Sequence, residues 1–207
     1  MPEIIYLIIA LAVCISVHEA SHALVAYWLG DPTAKMEGRI SLNPMRHLDL
    51  FGTLMILIAQ FGWGKPTPYN PHNLNHPKRD SALIALAGPI SNLFTAILAK
   101  ALLSYLPFYS EFLFGILFGI YSLSVVLFLF NLLPIAPLDG SKFIGIFIPN
   151  RLKIQYNEFL RQGPVYLIGL VILDRLLMVV FNFSLLGRFL MWGFSWIDLG
   201  IAILIRS

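Results

Sequence analysis

His18, Glu19 and His22 stand together in SVHEASHALVAYWLG, an otherwise apolar run. On a helix, residues four apart share a face. His18 and His22 are then stacked one turn apart and can close on one cation, at about 2.0–2.1 Å if it is zinc. Glu19 is turned about 100° from His18. It stands beside such a cation and can act on a nearby water without ligating the metal. An H-E-x-x-H sequence on a helix therefore suits metal-assisted hydrolysis, with two ligands and one general base. Ionisable groups inside a spanning helix are expensive and functional by default. The plain alternative is a polar cluster hydrogen-bonded to neighbouring helices.

A catalytic zinc needs a third protein ligand and one open position. His47, His72 and His76 fall in polar stretches. Asp139 lies in NLLPIAPLDG, just past an apolar run. Pro134 and Pro137 stop that run as a helix, since each lacks an N–H and clashes one turn back. The chain then stays near a membrane face, with Asp139 and Gly140 at a turn. Asp139 is a third-ligand candidate; an ordinary turn aspartate before glycine is the plain reading.

These groups need elements to hold them. Of 207 residues, 58% are apolar and 12% charged. A soluble domain carries about 25% charged residues, and one of this size could not hide so much apolar surface. The composition reads as a polytopic membrane protein in contact with lipid, and the length as one domain over 1–207. A spanning helix needs about 20 mostly apolar residues. The stretches 4–29, 81–106, 112–133, 165–183 and 185–205 qualify. The expected fold is all-α, with about five transmembrane helices. A shorter apolar stretch, 48–63, is weakened by Gly52, Gln60 and Gly62.

Two polar stretches interrupt the pattern. PTAKMEGRISLNPMRHLD (32–49) holds an alternation in EGRISL, which predicts a short β element. GKPTPYNPHNLNHPKRD (64–80) is proline-rich and reads as extended loop. Lys and Arg mark cytoplasmic loops. Lys35, Arg39 and Arg46 lie in one polar stretch, Lys65, Lys78 and Arg79 in the next, and Lys142, Arg151, Lys153 and Arg161 in a third. All three share the cytoplasmic side only if 48–63 is re-entrant, entering and leaving by one face. That puts the N-terminus outside and the β element near the cytoplasmic face. It also carries His18, His22 and Asp139 toward the cytoplasmic ends of parallel helices.

Other classes fit poorly. The net charge of +3 is small and scattered, which argues against nucleic acid. Cys14 is the single cysteine, so no internal disulfide forms. It shares a helix face with His18 and reads as a small buried residue. The first residues lack a basic n-region and a small-residue cleavage site, so they read as a retained first helix. Asp174 and Arg175 interrupt 165–183, and offer contacts to other helices or to a second copy of the chain in a homo-oligomer.

The sequence resembles the site-2 family of intramembrane zinc metalloproteases. The resemblance rests on HEASH in the first span, AGPISN (87–92) in a later one, and NLLPIAPLDG (131–140) closing the next. These match HExxH, GPxxN and NxxPxxxxDG, in that order. ISLNPMRHLDLFGTL and GWGKPTPYNP resemble a compact prokaryotic branch without PDZ-like or nucleotide-sensing modules. The match covers roughly 4–145, the catalytic core; the helices over about 165–205 are accessory. The resemblance implies that His18, His22 and Asp139 bind one catalytic Zn²⁺ and that Glu19 is the base. It implies that Asn92 helps to hold the substrate carbonyl, and it includes Asn131. It further implies an integral protein of a prokaryotic cell membrane that cleaves transmembrane protein substrates. Two readings stand beside it. Another type of membrane zinc protease would usually take a downstream glutamate as third ligand, from Glu37, Glu111 and Glu158. A metal transporter or channel would use His18, Glu19 and His22 as a transit site.

Overall fold

Long apolar runs satisfy their own backbone in lipid only as helices or closed barrels, and this chain takes the helical course. The structure is a computed structural model that describes residues 2–49, 51–52, 54–55, 64–107 and 110–206. The helices are α1 (Pro2–Trp28), α2 (Thr33–Met36), α3 (Pro77–Tyr105), α4 (Glu111–Asn131), α5 (Asp139–Ile144), α6 (Lys153–Phe181) and α7 (Leu185–Arg206). Among the described residues, α1, α3, α4, α6 and α7 are long and apolar enough to cross a membrane. The shortest, α4 with 21 residues, is about 32 Å long, against about 30 Å of hydrocarbon.

Contacts set the helix directions. Tyr6 packs on Phe112 and Gly115, Ala10 on Gly119, and Cys14 on Ser124, so α1 and α4 run parallel. His22 meets Ile84 while His18 meets Asn92, so α1 and α3 run antiparallel. Gly193 lies against Leu129, and Phe194 and Asp198 against Tyr121, so α7 runs antiparallel to α4. The packed core is rich in small residues: Ala10, Ala23, Ala26, Ala82, Ala85, Ala96 and Ala99 are all buried. In lipid there is no hydrophobic drive between helices, and close backbone approach supplies the packing instead. By contrast α6 buries only Gly163 and Leu167.

Lys100, Asp174 and Asp198, ionisable groups within the long helices, are paired. Lys100 Nζ donates to Asp198 Oδ1 at 2.8 Å, and the Tyr121 hydroxyl donates to the same oxygen. This cluster ties α3, α4 and α7 together. Asp174 accepts from Ser184 Oγ at 2.8 Å and from Leu186 N at 2.9 Å. It thereby satisfies donors that the start of α7 would leave open.

The expected β element over EGRISL is not a strand. Arg39 is 2% exposed, and its guanidinium donates to the carbonyls of Arg46 and Lys65. The loop wraps that buried cation instead of extending into a ladder. Among the described residues, the β pairing is one antiparallel bridge, Leu48 to Gly64. The re-entrant segment expected over 48–63 falls mostly outside the described residues. Its flanks, Leu48 and Gly64, meet at that bridge.

Asp31 fastens the end of α1 to the 64–76 loop. It is 0% exposed. Oδ1 accepts from Thr33 N at 3.1 Å, Thr33 Oγ1 at 2.6 Å and Asn73 Nδ2 at 2.7 Å. Oδ2 accepts from Asn70 N at 2.7 Å. Burial pushes the Asp31 carboxyl up, but the hydrogen bonds from Thr33, Asn73 and Asn70 outweigh it and hold the carboxyl below its ordinary value. A carboxyl lowered by folding adds stability above its unfolded pKa, and that stability is lost as pH falls through the folded value. Asp31→Ala, which strands buried donors, should cost about 1–3 kcal/mol. Melting in detergent followed by circular dichroism should show the wild type weakening below about pH 4, with a smaller acid-induced drop in the variant.

Candidate metal centre

The centre is assembled by α1, α3 and α5. His18 and His22 are 7% and 6% exposed, and Asp139 is 7% exposed. His22 Nε2 lies 3.0 Å from His18 Nε2. Asp139 Oδ2 lies 3.1 Å from His18 Nε2 and 3.3 Å from His22 Nε2. Ligand atoms of all three lie within 4.8 Å of one another. Bonds of zinc length place neighbouring tetrahedral ligands about 3.3 Å apart. The triangle has that size.

The imidazoles are oriented from behind. His22 Nδ1–H donates to the Ile84 carbonyl at 2.6 Å, which leaves the Nε2 lone pair facing the triangle. Ile84 lies five residues before Pro89, a proline inside α3, whose missing N–H leaves the neighbouring Ala85 carbonyl without its ladder donor. Proline removes a ladder donor and opens the preceding turn. On the other imidazole, Asn92 Nδ2 lies 3.0 Å from His18 Nδ1, and Asn92 Oδ1 is buried without a partner. This arrangement keeps the His18 proton on Nε2, toward Asp139. A half-turn of the amide would place Oδ1 on an Nδ1–H, satisfy the orphaned oxygen and free Nε2 for a metal. The donor set therefore fits a zinc ion.

Two glycines make room. A β-carbon on Gly88 would stand 2.5 Å from His18 Nε2 and Cε1, and closer still to His22 Nε2. The space beside both Nε2 nitrogens stays open because residue 88 has no side chain. A β-carbon on Gly140 would collide with the carbonyl of Leu132. Only glycine lets the PLDG turn fold back on the end of α4 and carry Asp139 inward at the first position of α5.

Glu19 lies beside the triangle. Its Oε2 accepts from Thr67 N at 2.8 Å and from Thr67 Oγ1 at 2.6 Å. Thus His18, Glu19, His22, Asn92 and Asp139 come together. Asn131 does not join them through its amide nitrogen, which donates to the Leu127 carbonyl of its own helix at 3.0 Å. Cys14 pairs with Ser124 at 3.2 Å, outside the group. His47 Nε2 donates to the Ser41 carbonyl at 2.7 Å, an anchor for its loop. Gly88 and Thr67 lie in stretches singled out in the sequence, but neither has a role assigned to it there, nor has the Ile84 carbonyl. The Gly-Pro pair and the Pro-Thr-Pro run were the available signals.

Comparison with known proteins agrees with this chemistry. The chain is 41% identical over 175 residues to a Bacillus subtilis protein named "Putative zinc metalloprotease YwhC", covering 81% of this chain and 80% of that protein. It is 33% identical over 131 residues to "Putative zinc metalloprotease Rip2" of Mycolicibacterium smegmatis, covering 59% of this chain and 49% of that one. A Mycobacterium tuberculosis protein of the same name is 32% identical over 134 residues, covering 62% and 51%. The chain thus spans about half the length of the Rip2 proteins. No family model matches the chain, and no solved structure matches it.

Gly88→Ala should abolish zinc binding while leaving the helical circular-dichroism spectrum in place; zinc retained at one equivalent would remove the steric argument. Asn92→Ala should lower zinc affinity by about 10–100-fold, read by competition with a chromophoric chelator. Undiminished affinity would mean that Asn92 does not orient His18.

Proposed function

The chain belongs to the YwhC-like family of membrane zinc metalloproteases, and on that premise we propose that it is an intramembrane endopeptidase of the site-2 type. It would cleave peptide bonds within or near transmembrane segments of other membrane proteins. One observation carries the reading. A His-His-Asp triangle of zinc size is buried between helices of spanning length, with a carboxylate beside it.

His18, His22 and Asp139 would hold the ion. Bound zinc supplies Lewis acidity, activates water near pH 7 and polarises a carbonyl, by about the amounts seen in soluble metalloproteases. Glu19 takes the proton of the attacking water and delivers it to the leaving amine. Its helix register, one residue on from His18, would leave it outside the ligand set. Ile84 and Asn92 keep the two imidazoles turned toward the ion.

The basic residues of 30–47, 64–80 and 139–164 support an N-terminus outside and a site near the cytoplasm. Water would then arrive from the cytoplasmic end, along the polar stretches 30–49 and 64–80. A substrate helix hides its peptide bonds in its own hydrogen bonds, so it must unwind before it is cut. Segments with Gly, Pro or Asn near the membrane border are the expected substrates.

Glu19→Gln should lower cleavage of a co-expressed single-span substrate by about 10²–10⁴-fold while keeping bound zinc at the wild-type level. Cleavage at wild-type rate would end the assignment of the base. Zinc flux across vesicles without proteolysis would favour a transporter.

A further inference from the structure

Lys65-Pro66-Thr67-Pro68 crosses the face of α1 that carries Glu19. Pro66 and Pro68 have no N–H and fix φ near about −65°. Thr67 N–H is therefore the single backbone donor of residues 66–68, and it is spent on Glu19 Oε2 at 2.8 Å. The Thr67 hydroxyl donates to the same oxygen at 2.6 Å and lies 3.0 Å from the Glu19 carbonyl oxygen. Both bonds go to Oε2, and neither goes to Oε1.

The segment is pinned on either side of this contact. Lys65 N donates to the His47 carbonyl at 2.7 Å, and the buried Arg39 guanidinium donates to the Lys65 carbonyl. Five residues on, Asn70 N donates to Asp31 Oδ2 at 2.7 Å. A short, proline-stiffened strap is held at 65 and at 70, with its middle residue on the carboxylate. A glutamate on a helix otherwise has three side-chain torsions to search. Two donors on one oxygen fix its plane and leave the other oxygen to exchange protons.

We propose that Thr67 is a positioning residue for Glu19: the 65–70 strap holds one carboxylate oxygen so that the other stays aimed at the reaction. Thr67 acts through Glu19, to which its backbone N–H and hydroxyl both bond. This rests on the zinc-protease reading of the centre and adds a part of the chain that the three motifs do not include.

The test uses the zinc-loaded full chain and a peptide hydroxamate, a chelator whose hydroxyl proton passes to a neighbouring carboxylate. Binding is measured by calorimetry for wild type, Thr67→Val, Thr67→Ser, Glu19→Gln and the double variant Thr67→Val/Glu19→Gln. Thr67→Val should weaken binding about tenfold by releasing the carboxylate to search its side-chain torsions, yet by less than about twofold in the Glu19→Gln background, because coupled residues are non-additive. Thr67→Ser should bind as the wild type does, and all variants should keep their zinc. Equal weakening in both backgrounds overturns the proposal, as does unchanged binding, tighter binding or zinc loss in Thr67→Val. A wild-type protein that carries no zinc or binds no hydroxamate overturns the metal-centre reading, and this inference with it.

Discussion

Three electron-rich atoms, two imidazole nitrogens and a carboxylate oxygen, converge within 3.3 Å of one another where almost no solvent reaches. In a low-dielectric site, an uncompensated carboxylate costs several kcal/mol. A cation removes that cost and converts the repulsion into ligation. The rest of the structure can be read as what brings these atoms to one point and keeps other atoms away.

Small residues do most of this. Alanines along α1 and α3 let the two backbones approach, so that side chains of α1 reach the backbone of α3 directly. His22 finds a carbonyl rather than another side chain as its partner. A carbonyl in a helix cannot rotate away, so the tautomer is fixed by the main chain. Gly88 and Gly140 extend the same logic to the ion's own space and to the turn that delivers Asp139. The Lys100–Asp198–Tyr121 cluster plays a different part. It clamps α7 on α3 and α4, away from the centre, where a charge in lipid needs a partner.

The sequence made the first half of the centre legible because HEASH is local. Its spacing alone puts both imidazoles on one face. Asp139 lies 121 residues from His18, and no local spacing joins them; the order of crossings and the family resemblance pointed to their meeting. Thr67 was hidden for a related reason: it lies 48 residues from Glu19, in a loop without periodicity. EGRISL misled because alternation records side-chain polarity and not backbone pairing. There a buried arginine, not a neighbouring strand, decides the path. The Lys100–Asp198 pair was hidden in the same way, since its partners lie 98 residues apart on different helices.

The proposed ligands and the proposed base are supported differently, and the difference follows from what each would have to do. His18 and His22 stand on a helix whose backbone is fixed by its own ladder, and a third atom is presented by the rigid start of α5. A metal geometry has to stay constant through turnover, so all three positions come from regular structure. In the proposed mechanism Glu19 would hand a proton from one partner to another, and a side chain frozen on all sides could not. Its second support is a loop residue that grips one oxygen and leaves the other outside the grip. That loop is itself held by Asp31, Arg39 and His47, each almost fully buried. The burial of so many polar groups at one end of an apolar bundle has a physical purpose under this reading. They carry the strap and, beside it, a polar margin through which water can reach an otherwise apolar interior.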